Sequence, residues 1–457
     1  MELNNIKRFY FIGIGGIGMS ALARYFFALG YDVAGYDKTP SPLTDELIEE
    51  GIAVHFEDLG ENLPEAYLNT EETLVVYTPA IPAAMGELVF AKKNHKVLKR
   101  SEVLGLITRT SKGLGVAGTH GKTTTSTMLA WVLSNSSLGC SAFLGGISSN
   151  FDSNVLINPN SELTVIEADE FDRSFLRLSP FASIITAMDP DHLDIYGTKE
   201  AFEEGFQEYA NKHNENGFVV YKHSLPLRTE SFHSVSYGIE APTAQVNGFN
   251  LRVENGHFYM DVDHLGEVQG RIELGLPGIH NAENAVAVIA LCLQLGCSWD
   301  EIRSGLASFK GVKRRFEYHV RKEKLVYIDD YAHHPTEIAA LVSSVRLLYP
   351  DRKILGVFQP HLFSRTRDFL DGFIRELSKL DEVIMMPIYP AREEPIPGIT
   401  SDVLVEKISC DVSLKGPQEV VEYLKGFKEG VVLTIGAGDI DRIVPKLHVE
   451  LEKNSLG

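Results

Sequence analysis

Residues 112–135 read KGLGVAGTHGKTTTSTMLAWVLSN. A short apolar run leads into a glycine-rich loop, and the loop leads into a stretch that is apolar at helical spacing. That order is strand, phosphate loop, helix, the unit on which P-loop α/β domains are built. Gly118 and Gly121 free backbone N–H groups to face an anion. Lys122 has the reach to meet phosphates, and Thr123 or Thr124 can offer a hydroxyl to a divalent cation. The run Gly118, Thr119, His120, Gly121, Lys122, Thr123, Thr124 departs from the strict P-loop pattern, because the position five before Gly121 is Val116.

Upstream, the pattern repeats in another form. RFYFI leads into Gly13-x-Gly15-x-x-Gly18, an apolar helix follows, and a second strand ends at Asp37, 19 residues past Gly18. This is a dinucleotide-type fingerprint: glycines let backbone approach a diphosphate at a helix N-terminus, and the acid accepts hydrogen bonds from a ribose. An NAD-dependent oxidoreductase would explain this loop but not the second one. Two phosphate loops imply two nucleotides.

Downstream of Lys122, two apolar strands end in acids: Glu167, Asp169 and Glu170 after the first, Asp189, Asp191 and His192 after the next. Strand C-termini beside a phosphate loop are where parallel sheets place ligand groups, and carboxylates suit magnesium. From Gly217 to Pro277 short alternating runs carry Asn247-Gly248 and Asn255-Gly256, which predict hairpin turns in an antiparallel patch. Asn281 and Asn284 share a face of the next helix. Their amides suit an adenine edge, and equally a helix cap. Lys310–Lys324 holds seven basic and two acidic residues, a segment of +5 that is either a solvated linker or a source of arginines for a triphosphate. Beyond it, KLVYIDD, KILGVFQP, EVIMMPIY and GVVLTIGAG predict four strands separated by helices, with one helix over Arg365–Leu380.

The whole chain has 457 residues, a formal net charge of −19, 44% hydrophobic and 23% charged residues. That is enough apolar content for packed cores, and length for about three domains. The expected borders are 1–110, 111–312 and 313–457. Such an acidic chain disfavours nucleic acid as a partner. Its longest apolar stretch, around Ala285–Leu295, falls short of the roughly 18–20 residues of a membrane span, and no signal peptide is read at the N-terminus. Four cysteines with no C-x-x-C pair predict a reduced, cytoplasmic protein.

Taken together, GIGGIGMS (13–20), GTHGKTTT (118–125), EADE (167–170), DH (191–192), HNAEN (280–284), RRF (314–316), DDYAHHPTE (329–337) and FQPH with Arg365 resemble the Mur ligases, the ATP-dependent enzymes of peptidoglycan precursor synthesis, over essentially the full length. The resemblance implies three α/β domains: an N-terminal Rossmann-like domain for a UDP-sugar, a central P-loop ATPase-type mixed sheet, and a C-terminal Rossmann-like domain for an amino acid. It implies ATP and two magnesium ions as cofactors, and UDP-N-acetylmuramate and L-alanine as substrates, with an acyl phosphate between them. It leaves monomer and dimer open. By this resemblance Gly13, Gly15, Gly16, Ile17, Gly18, Met19, Asp37 and Thr78 meet the UDP-sugar. Gly118 to Thr124, Asn281, Asn284, Arg315 and Asp330 meet ATP, and Thr123, Glu167 and His192 hold metal. Tyr331, His333, His361 and Arg365 receive the amino acid. Lys122, His192, Arg315 and His333 act in the chemistry. One departure stands out: Leu362 follows the His of FQPH where many relatives carry Arg, which leaves Arg365 to take the amino-acid carboxylate. Within the same family, a murein-tripeptide ligase of peptidoglycan recycling is the alternative.

Overall fold

The computed structural model describes residues 5–190, 193–213, 216–254, 256–391 and 393–454. Three sheets carry the chain. The first has five parallel strands in the order Ala53–His55, Asp32–Tyr36, Arg8–Ile12, Thr73–Tyr77, Lys96–Lys99. Phe9, Tyr10, Phe11 and Ile12 are all buried, as a central strand covered on both faces requires. Chain direction across the sheet reverses beside Arg8–Ile12, so the crevice for a ligand opens at its C-terminal end, where Gly13 turns the chain into helix Ile17–Ala28.

The second sheet has ten strands. Lys112–Ala117, which leads into the phosphate loop, lies between Leu163–Glu167 and Ala182–Ile185, parallel to both. The loop is therefore flanked by the two acidic strand ends. Helix Ile17–Ala28 packs on the same sheet: the Tyr25 ring meets Phe143 edge-on at 5.0 Å. Arg24 donates to the Asn154 side chain at 2.8 Å, with Glu46 and Glu50 taking its other N–H groups. Phe9, Phe26, Phe143 and Ile166 belong to one continuous core. The first glycine loop is thus fixed relative to the strand that ends in Glu167.

The antiparallel patch is smaller than the sequence predicts. Phe218–Lys222, His233–Ile239 and the start of Val246–Glu254 pair in parallel. Asn247-Gly248 lies inside a strand rather than at a turn. A side chain on Gly248 would run into Ile239 and Val286, so this glycine serves close packing against a helix. The turn with hairpin geometry is Leu265-Gly266, both at positive φ (55° and 89°), between neighbouring strands His257–His264 and Glu267–Leu274. Leucine is a poor signal for that conformation, which is why the sequence does not reveal it. Asn255 lies outside the described residues.

The third sheet runs Glu317–Arg321, Leu325–Asp330, Gly430–Ile435, Ile354–Phe358, Glu382–Met385, Asp411–Leu414. Its first strand is antiparallel and the rest are parallel. The four expected strands are present, flanked by two short edge strands whose polar composition hides them. One of these begins inside the basic segment. The expected helix over Arg365–Leu380 is two helices, Phe363–Asp368 and Leu370–Leu377, broken at Phe369.

Two compact units result. One comprises the chain up to Asn250 with Met260–Glu273 and Glu283–Lys310. The other comprises Leu251–Tyr259, Leu274–Ala282 and the chain from Gly311 onward. All four cysteines are free thiols, and among the described residues no helix is long and apolar enough to cross a membrane.

Candidate active site

In the first unit, the glycine loop is tied down before any ligand arrives. The N–H groups of Gly13 and Ile14 donate to the Tyr36 carbonyl at 2.7 and 2.9 Å. Gly13 sits at φ +88°, a conformation that favours glycine. Gly16 caps helix Ile17–Ala28, whose first turn holds no acid, leaving its N-terminal dipole open to an anion. Asp37 stands at the strand end as expected. There its carboxylate accepts the Gly15 N–H at 2.8 Å and the Thr39 N–H at 3.3 Å, so part of its capacity goes to shaping the loop.

The phosphate loop is held in the same way. Gly118 and Gly121 take positive φ (138° and 81°), and Gly121 caps helix Lys122–Ser134. Thr119 accepts the Asp189 N–H at 3.0 Å and Thr186 donates to the Ala117 carbonyl at 3.2 Å. His120 Nε2 lies 3.7 Å from the Asp189 carboxylate. Lys122 Nζ donates to the Gly118 carbonyl at 2.7 Å and to the Glu170 carboxylate at 2.9 Å. Glu170, left undecided by the sequence, is the buried partner of the phosphate-loop lysine, with a side chain only 3% exposed. Tyr196 fixes this segment by donating to the Glu170 carbonyl at 2.7 Å.

Every acid of residues 169–172 has a different cation: Arg100 for Asp169, Lys122 for Glu170, Lys99 for Asp172. Asp172 and Arg173 both sit at positive φ (53° and 52°), so the turn that presents these acids is strained. Glu167 lies against Gly145, where even a β-carbon would collide with its carboxylate. Gly16, Gly18, Thr78, Glu167 and Asp169 line one cavity of about 320 Å³. The glycine loop, expected to meet the sugar nucleotide, and Glu167, expected to hold metal, thus share one space. His192 and Asp191 lie outside the described residues. Asn284 lies against Gly121, whereas buried Asn281, inside the first turn of its helix, donates to the Pro277 carbonyl at 2.6 Å.

In the second unit, Arg314 and Arg315 each stand 5.1 Å from the centre of the Tyr331 ring. Arg314 is committed locally: it donates to Asp329 at 3.2 Å and to the Gly436 carbonyl at 2.6 Å. Arg315 has the Glu337 carboxylate at 3.9 Å and lies half-exposed beside the same ring. Asp330 accepts the N–H groups of Phe316 and Ala332 at 2.7 and 2.8 Å. Burial nevertheless pushes its carboxyl up to about 6, against the opposing pull of Arg315 and those two donors.

Burial also lowers the affinity of His333 for a proton. Its Nδ1–H donates to the Tyr331 carbonyl at 3.0 Å, which leaves Nε2 as an acceptor on a neutral ring. The His361 ring lies 6.1 Å away. Burial, then the neighbouring Arg365, hold His361 down to about 4, and Arg365 donates to its Nδ1 at 3.1 Å. Leu362 occupies φ +71°, ψ 136°, a region that leucine rarely adopts, beside this pair. Tyr331, His333, His361 and Arg365 are therefore gathered as expected, with Glu337 and Tyr389 completing the cluster. Elsewhere in this unit, Glu317, His319 and Asp329 bring potential metal-ligand atoms within 4.8 Å of one another, but Arg314 already supplies the cation there.

Known proteins resemble this chain over its full length. The family model described as Mur ligase family, catalytic domain matches residues 8–112. Mur ligase middle domain matches 116–292, and Mur ligase, glutamate ligase domain matches 314–440. The chain is 48% identical over 458 residues to a UDP-N-acetylmuramate–L-alanine ligase of Phocaeicola vulgatus, covering 99% of this chain and all of the relative. It is 49% identical over 456 residues to the protein of the same name from Flavobacterium johnsoniae, with coverage of 99% and 100%. The crystal structure of a UDP-N-acetylmuramate–alanine ligase from Thermotoga maritima superposes with a TM-score of 0.81 at 28% identity, covering 98% of both chains. A murein peptide ligase from Psychrobacter arcticus shares the fold, with a TM-score of 0.67 at 20% identity over 97% of this chain and 98% of that one.

Proposed function

Because this chain belongs to the Mur ligase family, we propose that it carries out the reaction of its full-length relatives, joining L-alanine to the lactyl carboxylate of UDP-N-acetylmuramate at the expense of ATP. A carboxylate oxygen of the sugar attacks the γ-phosphorus of ATP, ADP leaves, and an acyl phosphate forms. The amine of L-alanine then attacks the acyl carbon. Inorganic phosphate leaves, the amine nitrogen gives up a proton, and an amide remains. This is a step of peptidoglycan precursor synthesis, placed in the cytoplasm where ATP is available.

Each domain serves one substrate: 1–110 the UDP-sugar, 111–312 ATP, 313–457 the amino acid. The cavity shared by the glycine loop and Glu167 is the observation that carries the reading, since the sugar acid and the nucleotide must meet there. Lys122 offsets the charge that builds on the transferred phosphoryl group. The donor set also fits magnesium. Thr123 offers a hydroxyl at the helix start, and the Glu167 carboxylate is kept in place by the bare face of Gly145, two oxygen donors suited to a hard cation. His192 would add one imidazole nitrogen. Bound magnesium would screen the negative charges that must meet.

On the amino-acid side, Arg365 is the fork for the alanine carboxylate, and Tyr331 and His361 bound its pocket. His333, neutral with Nε2 unprotonated, takes the amine proton. Arg315 and Asp330 serve the nucleotide. The test is phosphate release with ATP, UDP-N-acetylmuramate and L-alanine, each omitted in turn. Full dependence on all three is expected, and release without the amino acid or the sugar nucleotide would refute the reading.

A further inference from the structure

The cavity shared by the glycine loop and Glu167 has one cation among its described lining residues, and no motif points to it. Arg100 is the first residue of helix Arg100–Thr110. Its guanidinium lies so close over Gly18 that any side chain there would collide with it. On its other side it reaches Asp169, at 3.5 Å. Arg100 therefore stands between the helix N-terminus that faces an anion and the acidic strand end beside the phosphate loop.

Resting on the function proposed above, we propose that Arg100 binds the lactyl carboxylate of the sugar nucleotide and holds it toward the phosphate loop for phosphorylation. Three observations support this role. The diphosphate already has a receptor at the helix start, where the N–H groups of Ile17 and Gly18 face outward while that of Gly16 donates to the Gly13 carbonyl at 3.3 Å. The reacting carboxylate must cross from that loop toward Glu167, and Arg100 is the cation on that path. Its partner is also loose: at 3.5 Å, with side chains 27% and 38% exposed, the Arg100–Asp169 pair is a weak surface-type ion pair. A substrate carboxylate that accepts both arms of the fork displaces it. Asp169 in turn has a second tie, accepting the Phe171 N–H at 3.1 Å, which keeps it in place when Arg100 leaves. Gly18 thereby gains a second reason to be glycine, since its bare face is the floor on which the guanidinium moves.

The test compares UDP-N-acetylmuramate with UDP-N-acetylglucosamine, which has the same diphosphate and sugar without the lactyl acid. Binding of each is titrated to wild type, Arg100→Ala and Arg100→Lys. Wild type should prefer the acid, and Arg100→Ala should lose about 10- to 150-fold of affinity for it alone, the range of a charged hydrogen bond. Arg100→Lys keeps the charge and loses the fork, and should fall between the two. Equal losses for both ligands would assign Arg100 to the diphosphate and overturn the proposal, as would no loss or a wild type without preference. Unchanged binding of the acid-free ligand also shows that each variant is folded. These titrations contain no ATP or amino acid, so they stand apart from turnover. Failure of wild type to use L-alanine would strike the function, and failure of the binding difference would strike Arg100 alone.

Discussion

Lys122 and Glu170 offer a way to separate stability from catalysis at the phosphate loop. Their side chains are 16% and 3% exposed and 2.8 Å apart at closest approach. Lys122→Ala leaves the Glu170 carboxylate buried without its cation, a defect that costs about 3–5 kcal/mol when water is fully excluded. Water reaches the lysine end, so the lower figure, about 3 kcal/mol, is expected. Glu170→Gln leaves the ammonium its bond to the Gly118 carbonyl and some solvent, and should cost about 1–2 kcal/mol. The double variant removes both charges, so it should be more stable than Lys122→Ala by about 2 kcal/mol. Its activity should remain absent, because phosphoryl transfer needs the lysine.

The two tryptophans, Trp131 and Trp299, make this measurable. Trp131 lies on the helix that follows the loop, Trp299 begins a helix packed against it, and both belong to the first unit. Urea unfolding followed by tryptophan fluorescence therefore reports on the domain that carries the pair. For a domain of about 200 residues, 1 kcal/mol is about 2–4 °C, so a thermal scan gives a second reading. Losses that simply add in the double variant would refute the buried-pair argument. So would ATP-dependent turnover by Lys122→Ala.

Three further outcomes follow from the structure. Gly145→Ala places a methyl group against the Glu167 carboxylate; with the fold intact by circular dichroism, the magnesium needed for half-maximal phosphate release should rise about 10- to 100-fold. Arg365→Ala removes the donor on His361 Nδ1; NMR titration should move His361 from about 4 toward its ordinary 6.5, and KM for L-alanine should rise at least tenfold. His213 is held down to about 4 by burial while its unfolded value is 6.5, so stability is full above 6.5 and falls as pH drops toward 4, by about 3 kcal/mol. His213→Gln should remove that part of the acid slope, read as the difference between the two urea midpoints at each pH.

Much of this was legible in the residues themselves. Glycine loops announce themselves because the positive φ of Gly13, Gly118 and Gly121 strongly favours glycine. Buried parallel strands read as unbroken apolar runs, as in Phe9 to Ile12 and Val431 to Leu433. What escaped depended on partners distant in the chain. Glu170 carries no local mark of its ion pair with a lysine 48 residues away. Gly145 looks like any strand glycine until Glu167 is placed beside it. Arg100 sits in KRSE, an ordinary polar helix start, and only folding brings it over Gly18. The hairpin at Leu265-Gly266 escaped for a different reason, as leucine was forced into a turn conformation by the strands on either side.

Amino-acid choice tests the proposed function most directly. Phosphate release with ATP and UDP-N-acetylmuramate, screened across the twenty amino acids and the recycled murein tripeptide at equal concentration, decides it. L-alanine should give the highest kcat/KM, with the product mass of an alanyl amide at the lactyl carboxylate. Faster release with the tripeptide, or release indifferent to the amino acid supplied, would contradict it.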